Sequence, residues 1–182
     1  MNYVCMMGGL GNQFFQYAFS KYIEKISGQE TRLHLDFFDY VEKMNGITDR
    51  AFELEKYKAV FISQSGNVRV SKIVDENEAI DQLDFNNGDL YFRGYWQNKR
   101  YFEAVKDEVH ERLILKKEYI SDEMKCLADD MHLTESVSIH VRHGDYLKED
   151  NKNLFSQLSL SYYENALETI TDYIGSAVTK SL

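Results

Sequence analysis

The opening of the chain restricts the fold more than any other stretch. Tyr3-Val4-Cys5-Met6-Met7 is a short apolar run, Gly8-Gly9-Leu10-Gly11-Asn12-Gln13 is a glycine-rich turn, and an aromatic-rich segment beginning at Phe14 follows. The periodicity predicts a strand over 3–7 and a helix from about 12 to 27, with Gly28 as its C-cap. Thr31-Arg32-Leu33-His34-Leu35-Asp36 then alternates like a second strand. Strand, turn, helix, strand is the crossover unit of a parallel sheet, so the chain is expected to be α/β, a Rossmann-like parallel sheet with crossover helices. Glycines let the turn approach a ligand closely, and the helix start behind it offers free N–H groups to an anion.

A second segment carries chemistry. Ser138-Ile139-His140-Val141-Arg142-His143-Gly144-Asp145-Tyr146 reads as a buried strand over 136–142 that ends in a polar cluster. Alternation sends His140 and Arg142 to one face and Ile139 and Val141 to the other. Asp145 falls in the turn beyond the strand's carboxyl end, where open α/β sheets bind ligands. An arginine there is a fork of donors suited to phosphate or carboxylate.

Between these segments the reading is coarser. Residues 37–88 mix aromatic pairs, charges and turns such as Asn45-Gly46. Asp89–Tyr95 is expected to be a strand. Asn98 to Leu113 is expected to be one helix with Tyr101, Phe102, Val105, Val109 and Leu113 on its apolar stripe. A helix over 119–131 and a polar loop over 147–158 follow. The last helix is predicted to start near Ser161, with Glu164 completing a capping box and with Tyr163, Ala166, Leu167, Ile170 and Ile174 on one stripe.

Composition sets limits on partners. A net charge of −9 argues against nucleic acid, and it means that an anionic substrate must be held by local positive groups. Cys5 and Cys126 sit far apart in apolar contexts, which favours two reduced, buried thiols in a cytosolic protein. No run approaches the roughly 20 apolar residues of a membrane span, and no basic leader precedes the first apolar run.

Four segments, in order, resemble glycosyltransferase family 11, the α-1,2-fucosyltransferases. They are Gly8–Ala18, the block Phe92–Phe102, the HxRRxDY-like His140–Tyr146 and the helix start Ser161–Ala166. Together they span roughly residues 1–174. The resemblance implies a GT-B-type fold, two Rossmann-like domains facing a cleft. Residues 1–134 would form the acceptor-side domain, and 135–182 the beginning of an incomplete donor domain. Two departures stand out. His143 occupies the place of the family's second arginine, and the Ser-Asp-Asp element and the Asn-Ser-Ser-Phe-rich segment expected further on do not occur, so the chain reads as C-terminally truncated. An unfinished sheet of this kind leaves an edge open to self-association.

The resemblance implies transfer of L-fucose from GDP-fucose to the 2-hydroxyl of a galactose-type glycan, with inversion and without metal. The chain contains no Asp-x-Asp to hold one. The implied acceptors also leave peripheral membrane contact open. Arg142 and His140 are the first catalytic candidates, and the resemblance implies that Arg142 contacts the donor diphosphate, against the alternative of a structural arginine at a domain boundary. His143 is a weaker phosphate donor, a proton carrier or a turn residue. Asp145 is a general base or an Asx-turn cap. Gly9, Gly11 and Asn12 face the donor or the acceptor, or form a tight turn with Asn12 capping the helix. Tyr95 and Trp96 stack on acceptor sugar or belong to the core. Two rival readings remain open. One is a non-catalytic remnant or binding module. The other is a dinucleotide-binding protein, which is disfavoured because Phe14 replaces the third glycine of the fingerprint and Asp36 is the only acidic candidate on the second strand.

Overall fold

The computed structural model describes residues 1–41, 50–141 and 158–174. The chain divides into two compact units, Met1–Lys125 and Cys126–Leu182. In the first, the elements are β1 (Asn2–Cys5), α1 (Leu10–Ser27), β2 (Thr31–His34), α2 (Asp36–Val41), β3 (Ile62–Gln64), β4 (Lys72–Asp75), β5 (Leu90–Arg93), α3 (Lys99–Glu103) and α4 (Lys106–Arg112). Single 3₁₀ turns occur at Leu54–Lys56, Ile80–Gln82 and Lys117–Tyr119. The strands form one five-stranded sheet in the order β3-β2-β1-β5-β4. Every pairing in it is parallel, as the β-α-β opening requires.

Position in the sheet explains which strands the sequence pattern shows. β1 is central, and all four of its residues are buried. Val4 lies opposite Leu33 on one side and Phe92 on the other, and these three residues are all buried. β3 and β4 are edge strands, where Ile62 and Ile73 stay half-exposed and no continuous apolar run is needed. That is why residues 37–88 gave no clear strand signal.

α1 packs its buried face, Gln13, Gln16, Tyr17, Ala18, Phe19, Ser20, Tyr22 and Ile23, onto the sheet and α3. Phe19 is the hub of the core. Its ring stacks on Trp96 at 4.0 Å and meets Phe92 and Tyr101 edge-on at 5.4 and 4.9 Å. Contacts of this kind add about 0.5–1.5 kcal/mol per pair beyond the area they bury. Gly28 ends α1 at φ 66, and its N–H donates to the Glu24 carbonyl, which is the expected left-handed cap.

Three expectations need correction. The single helix expected from Asn98 to Leu113 is two. Asn98 caps α3 by accepting the Arg100 N–H, and Val105, at φ −131, separates α3 from α4. Tyr101, Val105 and Val109 remain buried on a common stripe, so the apolar period did not reveal the break. Secondly, only Cys5 is buried. Cys126 is exposed, and both thiols are free.

The third concerns the second unit. Helix α5 (Asp122–Leu133) crosses the division between the units, and α6 (Leu160–Ile174) lies within the second. Residues 136–141 form no strand, and Ile139 and Val141 are each 47% exposed. A parallel strand acquires its hydrogen bonds and its burial from neighbouring strands, and none of the described strands pairs with this segment. The sheet edge expected there for self-association is therefore not formed among the described residues. The cap of α6 is Ser159, not Ser161: its hydroxyl accepts the Tyr162 N–H at 3.3 Å. No described helix is long and apolar enough to cross a membrane.

Candidate active site

Because all five strands are parallel, their carboxyl ends share one edge. The chain steps from β1 outward to β2 and β3, then builds the other side through β4 and β5. The order therefore reverses between β1 and β5, and a crevice for ligand opens at such a switch point. The loops after these two strands carry Gly8–Asn12 and Gly94–Gln97.

Two buried glutamines on α1 tie this edge together. Gln16 accepts the Met7 N–H at 3.0 Å and donates to the Gly94 carbonyl at 3.0 Å, joining the two loops. Gln13 donates to the carbonyls of Gly8 and Ala51 at 3.1 and 2.8 Å and accepts the Glu53 N–H at 2.8 Å. Neither side chain is exposed at all. Sequence reasoning passed over both. Their signal was two amides, three residues apart, on a helix face that is otherwise mostly apolar.

The glycine turn differs in detail from expectation. Gly9 is the N-cap of α1 without a side-chain cap, and no acidic residue lies in the first turn. Asn12 does not cap the helix. Its Oδ1 accepts from Gln97 Nε2 at 2.6 Å, a second link between the loops. The glycine that the turn cannot replace is Gly8, at φ +77, where an added Cβ would lie 2.5 Å from Asn12 Nδ2 and 3.1 Å from the Tyr95 ring. Gly11 faces open space, and the Arg50 guanidinium lies beside Gly9, within 4.0 Å of where a Cβ would stand. An uncapped helix start with a guanidinium nearby is suited to an anion.

Tyr95 and Trp96 part company here. Tyr95 is 40% exposed, beside Gly8. Trp96 is 2% exposed and stacked on Phe19, so its ring is a core element with no face left for a sugar. Its backbone is held at φ 56, and its N–H donates to the Glu76 carboxylate. Of the residues expected on the donor side, His140 is exposed and belongs to no strand. Arg142, His143 and Asp145 lie outside the described residues.

A second polar cluster sits at the ends of β1, β2 and β5. His34 Nε2 is 2.8 Å from the Gly66 carbonyl, which can only accept, so Nε2 donates to it, and Nδ1 lies 3.1 Å from the Tyr91 hydroxyl. Burial pushes the Tyr91 hydroxyl well up, with Cys5 adding to the effect, and burial likewise raises the Cys5 thiol. Asp36 accepts the Gly66 N–H at 2.7 Å, so the carboxylate that a dinucleotide ribose would need is already engaged. Among the described residues no group of acidic, histidine and cysteine side chains is arranged to hold a metal.

The chain is 26% identical to the O-antigen biosynthesis glycosyltransferase WbnK of Escherichia coli, over 97% of this chain and 70% of that protein. It is 32% identical to an alpha-1,2-colitosyltransferase of Escherichia coli, over 78% of this chain and 54% of that protein, so it spans little more than half of the latter's length. No solved structure matches it. The model of one family, glycosyl transferase family 11, matches residues 1–179, and to that family the chain belongs.

Proposed function

We propose that this family domain transfers L-fucose from GDP-fucose to the 2-hydroxyl of a galactose-type residue on a bacterial glycan, with inversion at C1 of the sugar. The observation that carries the reading is the Asn12–Gln97 hydrogen bond of 2.6 Å together with the Gln16 bridge. These bonds join two segments that resemble the family, 85 residues apart in sequence, on the edge where a parallel sheet binds ligands. In the proposed reaction the acceptor oxygen forms a bond to C1 as the bond from C1 to the β-phosphate oxygen breaks. The hydroxyl proton passes to a general base, for which Asp145 is the candidate. Negative charge accumulates on the departing diphosphate, and Arg142 is proposed to neutralise it, with His140 and His143 as flanking donors. A guanidinium supplies this stabilisation without a metal ion. The uncapped start of α1, with Gly9 and Gly11, is proposed to approach the same diphosphate, and Tyr95 to border the acceptor.

The relative named as an alpha-1,2-colitosyltransferase supports a narrower second reading, in which the donor sugar is colitose. Colitose differs from L-fucose by the absence of the 3-hydroxyl, so the two readings share a linkage and differ in one donor contact. Peripheral association with the inner face of a membrane, where lipid-linked acceptors would lie, belongs to the same proposal. Arg142→Ala tests the mechanism. It should lower transfer by about 10²–10³-fold, the scale of losing one preorganised charge-stabilising group. Turnover within a fewfold of wild type would exclude Arg142 from the leaving-group site.

A further inference from the structure

Beside the candidate site a groove of about 610 Å³ runs between α1 and α3, lined by Gly11, Phe14, Phe15, Gln97, Lys99, Phe102 and Leu113. Phe15 and Phe102 stand 37% and 36% exposed on its walls. Phe14 is braced edge-on by Tyr57 at 5.0 Å, which fixes the groove's shape. The lining has little polarity. The Gln97 amide already donates to Asn12, and the Lys99 ammonium stands at the rim, 3.7 Å from Glu103, with its side chain 84% exposed.

A pyranose ring carries several hydroxyls, and each needs a partner when it leaves water. This groove cannot supply them. It does open onto the sugar-handling edge, because Gly11 and Gln97 belong to both, and the space above Gly11 is clear. An acceptor whose sugar sits at the polar edge would direct its non-sugar part into the groove.

We infer that the groove is the subsite for an apolar aglycone, an alkyl or aryl group on the anomeric carbon of the acceptor glycoside. This rests on the proposal that the edge binds an acceptor sugar. The wild-type chain would be titrated by calorimetry with methyl β-galactoside, octyl β-galactoside and octyl β-glucoside, all below their micelle concentrations. Octyl β-galactoside should bind at least about tenfold more tightly than the methyl compound, since each buried methylene adds about 0.8 kcal/mol and the groove is partly open. Phe102→Ser, and independently Phe15→Ser, should remove that gain and leave methyl β-galactoside unchanged. Both positions are already exposed by a third, so both variants should fold. Equal affinity for the methyl and octyl galactosides overturns the inference, as does a gain that survives in both variants. Self-association of the wild type that Phe102→Ser abolishes would make the groove a protein interface and would also overturn it. If octyl β-glucoside binds as well as octyl β-galactoside, the groove stands and the acceptor-sugar reading of the edge fails.

Discussion

Replacing Gln16 with methionine isolates the device that joins the loops after β1 and β5. The two side chains have similar length and volume, so the buried position stays filled while both hydrogen bonds are lost. Gln16 is fully buried, and its partners are the Met7 N–H and the Gly94 carbonyl, each at 3.0 Å. A buried polar group left unpaired costs about 1–3 kcal/mol. Two such groups set an upper limit near 6 kcal/mol, but both bonds are only partly buried and water can reach the exposed side. The expected loss is therefore about 2–4 kcal/mol, a large fraction of the roughly 5–15 kcal/mol that stabilises a domain. Urea unfolding followed by circular dichroism reads it as a lower midpoint at unchanged slope. Gln16→Glu is the control. It keeps an acceptor for Met7 but turns a carboxylate toward the Gly94 carbonyl, so it should not restore stability near neutral pH. A Gln16→Met variant within about 0.5 kcal/mol of wild type would refute the bridging role, because only surface changes are normally so mild.

Other predictions address single features. Gly8→Ala forces a Cβ into a left-handed turn against Asn12 and Tyr95 and should cost about 1–3 kcal/mol, whereas Gly11→Ala, in open space within the helix, should be neutral or stabilising by up to about 1 kcal/mol; equal effects in thermal melts would contradict the geometry. The hydrogen bond from Arg100 holds the Asp81 carboxyl below its ordinary value, so its contribution is present above the unfolded pKa of about 4 and is lost as pH falls through the lower folded value. Asp81→Asn should thus be less stable than wild type at neutral pH and approach it as pH falls through the carboxyl's lowered folded value, and a difference constant from neutral to acid pH would contradict the pairing. With a thiol reagent at neutral pH, exposed Cys126 should react fast, and Cys5, buried and with its pKa raised, should react slowly; two equal rates would contradict the burial of β1.

The parts of this fold legible in the sequence are those where pattern and burial coincide. β1, α1 and β2 were readable because an apolar run, a glycine turn, a helical stripe and an alternating strand follow one another without interruption. β3 and β4 were not, since edge strands with exposed Ile62 and Ile73 need no apolar pattern. The segment 136–141 erred in the opposite direction. Ser138-Ile139-His140-Val141 alternates like a strand, but alternation expresses only a propensity, and none of the described strands pairs with these residues, which are irregular and exposed. At the site, the glycine turn and the aromatic block were visible as separate segments. Their junction was not, because Gln97 reaching Asn12 and Gln16 reaching Gly94 are long-range contacts that no local period encodes. Trp96 illustrates the same limit: an aromatic in that block suits a sugar or a core equally, and only the stack on Phe19 decides for the core.

The proposed function is transfer from a GDP-linked deoxyhexose to the 2-hydroxyl of a galactose unit by this member of family 11. The most direct measurement is a transfer assay on a galactose-terminated disaccharide in the presence of a chelator. GDP-fucose, GDP-colitose and a UDP-hexose would be offered separately, and the product linkage read by NMR. The account predicts transfer from GDP-fucose that persists with the chelator, giving an α-anomer on the 2-hydroxyl. Transfer from GDP-colitose alone would select the second donor reading. Transfer from the UDP-hexose alone, or a bond to any hydroxyl other than the 2-hydroxyl, would contradict the account.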